Sequence, residues 1–281
     1  MKYRFLRYPG GKAKAVTLSY DDGCLSDVRF SDVITKAGLK CTFNLSSKSA
    51  MTDEKIKEIS LDRGHEVAVH CAHHRAPGAQ SAIVGIKEVL DCRLALEEKF
   101  DMIIRGMAYP DTGITYFTNG ANYENIKRYL TDLDIAYART LGGDNKDFRL
   151  PDDWHAWMPT VHHKNPEILE YIDEFVNFEM HPFVYASRRY PRLFYLWGHS
   201  FEFDADNNWE LLDTICEKLG GKEDTWYATN MEIYEYVKAY ESIVYNADET
   251  IMYNPTLFDI WMEIDGEVIC IKSGETKKLE K

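Results

Sequence analysis

The sequence lacks several features that would point directly to a function. Lys and Arg (33 residues) are outnumbered by Asp and Glu (46 residues), so the formal net charge is −13. A nucleic-acid partner is not expected, because binding a phosphate backbone needs clustered positive charge. No apolar run is long enough to span a membrane, so no membrane association is expected either. The G-x-S-x-G motif of serine hydrolases is absent, and Gly10-Gly11-Lys12 lacks the spacing of a phosphate-binding loop.

Cysteine is scarce and shows no paired pattern. The six cysteines are scattered without any C-x-x-C pair, which favours reduced thiols over a disulfide framework or a cysteine-based zinc site. Residues 1–14 are basic and reach a Tyr-Pro-Gly-Gly turn before any apolar leader segment forms. We therefore expect a cytoplasmic protein.

The chain does contain a repeated alternation of short apolar runs and amphipathic segments. The predicted strands are 15–19, 41–45, 66–69, 102–104, 135–139, 193–197 and 225–228. Predicted helices follow them at about 26–37, 53–63, 81–100, 123–133, 166–178, 208–219 and 230–240. This order predicts an α/β fold, a distorted (β/α)7 barrel over residues 1–241. Residues 242–281 show alternating polarity and several turn signals, which predict a small C-terminal β-hairpin extension.

The first predicted strand runs directly into Asp21-Asp22-Gly23. This tripeptide is common in plain turns, and a turn is one interpretation of it. The other interpretation is a functional site, because two adjacent carboxylates repel each other unless a cation or an arginine lies nearby. The rest of the sequence favours the second interpretation.

Further polar residues follow other predicted strands. They are His70 and His74 after the third strand, Arg105 and Tyr109 after the fourth, and His199 after the sixth. In a β/α barrel these positions meet at the carboxyl-terminal rim, where active sites lie. One carboxylate with two imidazoles is a common protein ligand set for a catalytic zinc, so a divalent metal, most simply Zn²⁺, is the expected cofactor. Taken alone, a pair such as His70 and His74 more often consists of surface or core histidines without a metal, and it is the combination with Asp21-Asp22 and His199 that favours a site.

These motifs resemble those of the polysaccharide deacetylases, the carbohydrate esterases of family four with a nodulation-type deacetylase domain. The resemblance covers residues 15 to about 240. It rests on Ser19-Tyr20-Asp21-Asp22-Gly23, on 64–70 with His74, on Arg105 with Tyr109-Pro110, and on Leu196-Trp197-Gly198-His199.

The resemblance implies a role for each matching residue. Asp22, His70 and His74 would hold the metal, Asp21 would be the general base, and His199 would protonate the leaving group. Arg105 would keep Asp21 ionised, and the backbone N–H of Tyr109 would stabilise the oxyanion. Leu196 and Trp197 would line the acetyl pocket, and Trp154 would contact the substrate.

The sequence departs from the family pattern at three places. Cys71 replaces the usual Ser or Thr after the first metal histidine, and it could brace the loop or contact the metal. The third motif is one residue longer than usual. The partner of His199 is ambiguous, with Asp153 and Arg139 as the two candidates.

Three functional hypotheses remain at this point. The first is a metal-dependent hydrolase that removes N- or O-acetyl groups from a carbohydrate. The second is an amidohydrolase of small cyclic imides or ureides on the same fold. The third is a carbohydrate-binding pseudoenzyme. The oligomeric state is not predicted.

Overall fold

The computed structural model describes residues 3–142, 148–180 and 189–279. The strands β1 to β14 are, in chain order, Arg4–Arg7, Lys14–Asp21, Cys41–Leu45, Glu66–Val69, Gly106–Ala108, Tyr137–Arg139, Val161–His162, Arg192–Gly198, Thr225–Tyr227, Val244–Tyr245, Ile251–Tyr253, Ile260–Ile264, Glu267–Ile271 and Thr276–Lys278. The helices α1 to α8 are Asp27–Lys36, Asp53–Ile59, Ala82–Phe100, Tyr123–Asp132, Ile168–Val176, Phe201–Ala205, Trp209–Leu219 and Asn230–Glu241. None of the described helices combines the length and apolarity that a membrane crossing requires.

Polar side chains fix where several of these helices begin. Thr52 accepts a hydrogen bond from the backbone N–H of Lys55 at the start of α2. At the start of α8, Thr229 and Glu232 form a reciprocal capping box. Such caps satisfy backbone donors that would otherwise lack a partner in the first helical turn.

A parallel sheet of eight strands forms the centre of the molecule. Its order is β6-β5-β4-β3-β2-β8-β7, and β9 pairs with the first half of β2. Every residue of β2 is buried, as expected for a parallel strand that is covered on both faces. The ends of β2, β4, β6 and β8 therefore lie at the same rim of the sheet.

The two edges of this sheet come together through residues 157–162. Trp157 forms a parallel bridge with Arg139 at the end of β6, and β7 pairs with β8 from Val161 onward. The sheet thus curls into a distorted β/α barrel, and this confirms the predicted fold class.

The fourth barrel strand lies later in the chain than predicted. The sequence predicts a strand at 102–104, whereas β5 spans Gly106–Ala108. Met102 and Ile103 are 37% and 76% exposed, so this apolar run stays outside the sheet. As a consequence Arg105 precedes the strand and lies at the amino-terminal end of the barrel.

The N-terminal strand belongs to a sheet made mainly by the C-terminal segment. β1 pairs antiparallel with β12, which pairs in turn with β13. A second small sheet contains β10, β11 and β14. A core cluster that includes Tyr8, Tyr236 and Met262 joins these strands to α8 and to the barrel.

A buried charge cluster fixes β1 to β12. The Glu263 carboxylate is 3% exposed and accepts hydrogen bonds from the guanidinium groups of Arg7 and Arg189, which are also buried. Burial lowers the pKa of Arg7, and the charge of Glu263 opposes that change. Removing one member of such a cluster leaves an unpaired charge in the interior.

We expect Glu263→Gln to lower the free energy of unfolding by about 3–5 kcal/mol, because two buried guanidinium groups would lose their counter-charge. The matched control is Glu249→Gln, which breaks the more exposed pair with Arg4 and should cost less than about 1 kcal/mol. Urea unfolding of both variants measures the difference. Equal losses would show that Glu263 does not compensate the buried charges.

Candidate active site and metal centre

The site is built around the sharp corner at which β2 ends. Asp21 is the last residue of the strand, and Asp22 follows with a positive φ of 80°. The backbone N–H of Asp22 donates to the carbonyl of Asn44 at 3.1 Å, which holds the corner against β3. Adjacent carboxylates in a strand would point to opposite faces. The turn at Asp22 instead directs both to the same rim.

Asp21 is 1% exposed and is held by two side chains. Its carboxylate accepts hydrogen bonds from Asn44 Nδ2 at 2.8 Å and from Arg139 Nη2 at 2.5 Å. Burial alone would raise the pKa of Asp21. The charge of Arg139, with smaller effects of His70, His199 and Asn44, outweighs burial and lowers the pKa below its usual value. Asp21 is therefore an ionised carboxylate inside the barrel.

The loop after β4 carries the two predicted metal histidines. His70 is 1% exposed, and its Nδ1–H donates to the carbonyl of Ala108 at 3.0 Å. His74 adopts a positive φ of 55° and is largely exposed. Glu88 of α3 anchors the loop between them, since its carboxylate accepts the backbone N–H of His73 at 2.8 Å.

The donor atoms of Asp22, His70 and His74 fit a cation. The Nε2 atoms of His70 and His74 lie 3.6 and 3.4 Å from Asp22 Oδ1, and the three groups form one of the two candidate metal clusters in the described residues. Because His70 carries its proton on Nδ1, its Nε2 lone pair faces the lone pairs of Asp22. Two acceptors in this arrangement repel each other unless a cation lies between them.

His199 also approaches the two aspartates. Its Nε2 is 3.9 Å from Asp21 Oδ2 and from Asp22 Oδ2. Its Nδ1 and its backbone N–H both face Glu202 Oε2, at 3.3 and 3.1 Å. Burial lowers the pKa of His199, but the hydrogen bond to Glu202 and the charges of Asp21 and Glu202 raise it above its usual value.

Two residues contact Asp21 and His199 in the structure, although the sequence analysis did not predict these contacts. Arg139, and not Arg105, contacts Asp21; Arg105 pairs with Asp134 at 2.8 Å at the other end of the barrel. Glu202 is the carboxylate at His199. Its place three residues after His199, at the start of a helix, was the available signal, because side chains at i and i+3 adjoin on a helix.

The structure places other predicted site residues away from the expected contacts. Asp153 accepts hydrogen bonds from Tyr123 and Lys127, not from His199. The backbone N–H of Tyr109 donates to Arg139 O at 2.9 Å, so it is already used within the sheet. Trp154 packs on Trp157 with ring centroids 4.9 Å apart, in the core cluster near α8.

The predicted acetyl-pocket residues lie on opposite faces of β8. Trp197 lies 4.5 Å from the Arg139 guanidinium, beside the site. Leu196 is fully buried in the core cluster that includes Leu18 and Phe203. Since consecutive strand side chains alternate between faces, only Trp197 is directed toward Asp21 and Arg139.

Cys71 occupies a packed position beside the first histidine. It is fully buried with φ of 61°, and burial raises the pKa of its thiol well above the usual value. Neither candidate metal cluster in the described residues includes it. A neutral thiol in this position contributes packing.

We expect Arg139→Gln to lower the free energy of unfolding by about 3 kcal/mol or more, because Asp21 would remain buried without its counter-charge. Arg105→Gln serves as the control and should cost less than about 1 kcal/mol, since its partner Asp134 is 65% exposed. Denaturant titrations of the two variants test this. A larger loss for Arg105→Gln would contradict the assignment of the Asp21 partner.

Comparison with known proteins agrees with the motifs. Residues 3–133 match the family model described as polysaccharide deacetylase. A search of curated proteins found no match. The chain has 17% identity to a candidate polysaccharide deacetylase from Mycobacterium smegmatis, with a TM-score of 0.61 over 86% of this chain and 96% of that one.

Two other solved structures share the fold. One is a family 4 acetyl xylan esterase from Clostridium thermocellum, solved with a cobalt ion, with 16% identity, a TM-score of 0.51, and coverage of 79% of this chain and 91% of that one. The other is a mutant, with restored enzymatic activity, of a family-4 pseudoenzyme from Bacillus anthracis, with 18% identity, a TM-score of 0.51, and coverage of 82% and 70%. At these identities the likeness shows the fold alone. The sequence match covers residues 3–133, so this part of the chain resembles the polysaccharide deacetylases.

Proposed function

We propose that this protein is a metal-dependent hydrolase that releases acetate from an N- or O-acetylated carbohydrate. The observation that carries the proposal is that Asp22, His70 and His74 lie beside an ionised buried carboxylate, Asp21, and a histidine, His199. A ligand set flanked by a candidate base and a candidate acid is what hydrolysis of an acetyl group requires.

Asp22, His70 and His74 are the residues that would hold the ion. A divalent ion such as Zn²⁺, when bound there, supplies Lewis acidity toward the acetyl carbonyl and lowers the pKa of water. The Nδ1–H bond from His70 to Ala108 O keeps Nε2 free for this purpose. Asp22 and His74 are partly exposed, which leaves the site open to substrate.

Asp21 is assigned as the general base. Its charge is maintained by Arg139, which donates to Oδ2, and the same oxygen lies 3.9 Å from the Nε2 atoms of His70 and His199. It accepts the proton of the attacking water as the oxygen forms its bond to the acetyl carbon. Trp197 covers the Arg139 guanidinium and shields the ion pair from solvent.

His199 is assigned as the general acid. Glu202 accepts the Nδ1–H of His199, so the Nε2 atom of the imidazolium faces the aspartates and the reacting group. Nε2–H then donates its proton to the departing sugar nitrogen or oxygen as the bond to the acetyl carbon breaks. Glu202 thereby acts as a positioning residue for His199.

The wild-type protein, loaded with one equivalent of zinc, should release acetate from N- or O-acetylated oligosaccharides, whereas Asp21→Asn and His199→Gln should be slower by about 100-fold or more. Enzymatic assay of free acetate gives the rates, and elemental analysis should show that both variants keep their metal. Arg105→Gln is the control, because its side chain lies at the other end of the barrel.

The same experiment separates the competing functions. Turnover of small cyclic imides or ureides without acetate release would favour the amidohydrolase alternative. Binding of sugar with no turnover of either substrate class would favour a pseudoenzyme. In both cases the deacetylase proposal fails.

For Glu202→Gln we expect kcat to fall by about 10-fold or more with little change in KM, since the substrate does not need Glu202 for binding but His199 loses its charged partner. Steady-state kinetics on the acetylated substrate measure both constants. Glu210→Gln, on the exposed side of α7, should behave like the wild type. A rise in KM alone would place Glu202 at the substrate instead.

A further inference from the structure

A second group of potential ligands lies behind His199. His162 and His163 direct their Nε2 atoms at the same carboxylate oxygen, Glu202 Oε2, at 3.2 and 3.4 Å. The ligand atoms of these three residues all lie within 4.8 Å of one another. Separations of this size are those found between donor atoms that share one small metal ion, given metal–ligand bonds of about 2.0–2.2 Å.

His163 has a ring nitrogen, Nε2, that is available as a metal ligand. It is 1% exposed, and its Nε2 makes no hydrogen bond although Glu202 lies nearby. Its Nδ1 lies 3.2 Å from the Tyr20 hydroxyl, which accepts the proton if Nδ1 carries it. A neutral imidazole with its proton on Nδ1 presents an Nε2 lone pair to a metal.

The backbone around His163 leaves room for this ring only because residue 198 is glycine. A Cβ atom at Gly198 would overlap the His163 ring. A cavity of about 230 Å³ is lined in part by His163, Lys164 and Asp206, so His163 borders open space.

We propose that His162, His163 and Glu202 form a second site for a divalent transition metal of the Zn²⁺ type. Two imidazole nitrogens with one carboxylate oxygen favour such ions over Mg²⁺ and Ca²⁺, which prefer oxygen ligands. The site is separate from the Asp22 cluster, and the ring of His199 lies between them: its Nε2 is near Asp22 and its Nδ1 is near Glu202.

Binding at this site requires one proton to move. His162 Nδ1 accepts the backbone N–H of Lys164 at 3.1 Å, so in the free protein Nε2 carries the proton and donates it to Glu202. When Nε2 of His162 binds the ion, this proton transfers to Nδ1 of the same ring. The backbone N–H of Lys164 then donates its hydrogen bond to water instead. Lys164 is exposed, so water can reach it.

The second ion has a consequence that rests on the proposed hydrolase function. An ion that takes Glu202 Oε2 removes the acceptor that holds His199 Nδ1–H. Occupation of the second site should therefore inhibit acetate release, and metal in excess of one ion per chain should lower the rate.

The test is metal stoichiometry after equilibrium dialysis of the full chain against Zn²⁺, read by elemental analysis, with Co²⁺ absorption as a second probe. We expect two ions in the wild type, one in Asp22→Ala, one in His162→Gln, and none in the double variant. His65→Gln is the control, because His65 lies outside both clusters and bonds Thr35 and Cys41; it should bind two. Circular dichroism and thermal unfolding show that each variant is folded.

The outcomes separate this site from the proposed active site. One ion in the wild type, lost in Asp22→Ala and retained in His162→Gln, would overturn the second site while leaving the first. Two ions in folded His162→Gln would also overturn it. One ion in the wild type that persists in Asp22→Ala and is lost in His162→Gln would support the second site and refute the first.

Discussion

The site depends on one buried ion pair, Asp21 with Arg139. Both side chains are at most 1% exposed, and a carboxylate at this depth stays ionised only because a guanidinium lies against it. The two residues are 118 positions apart in the chain and reach each other because the sheet curls from β2 round to β6. The ion pair at the rim can therefore form only when the sheet has curled into a barrel. Trp197 completes the arrangement by covering the guanidinium.

The second constraint is the conformation of the loop after β4, which is fixed by hydrogen bonds to β5 and to α3. The carbonyl of Ala108 in β5 fixes the proton of His70 on Nδ1, and Glu88 of α3 accepts the backbone N–H of His73. Cys71 and His74 both adopt positive φ values, which non-glycine residues adopt rarely and only where surrounding contacts maintain them. The donor atoms are thus placed by hydrogen bonds from neighbouring elements and not by the loop alone.

The sequence allowed prediction of the barrel and of the residues whose position follows from a strand end. The structure brings together five predicted residues that adjoin short apolar runs with clear boundaries: Asp21, Asp22, His70, His74 and His199. Arg105 was misplaced because the apolar run 102–104 is not a strand: Met102 and Ile103 are exposed, Ile104 packs in the core, and the strand begins at Gly106. The contact of Arg139 could not be predicted, since it depends on curvature across the barrel. The contact of Glu202 was missed because no helix was predicted at Phe201–Ala205. Alternation of apolar residues carries no information on either. The pairing of β1 with β12 was also missed, because an isolated edge strand of four residues has no local signal of its partner.

That pairing has a consequence for how the protein is assembled during synthesis. The Tyr3 backbone N–H bonds to Asp265, 262 positions later in the sequence, so β1 leaves the ribosome long before the strand that it pairs with. Until then its edge and the apolar surface beneath it are unprotected, and contacts of such long sequence separation form slowly. The parallel sheet can close before this happens, since β2 to β9 need nothing from the C-terminal strands for their own pairing. A nascent chain stalled before residue 260 would hold a formed barrel whose apolar surface is not yet covered by the C-terminal strands. In this state we expect chaperone binding or aggregation.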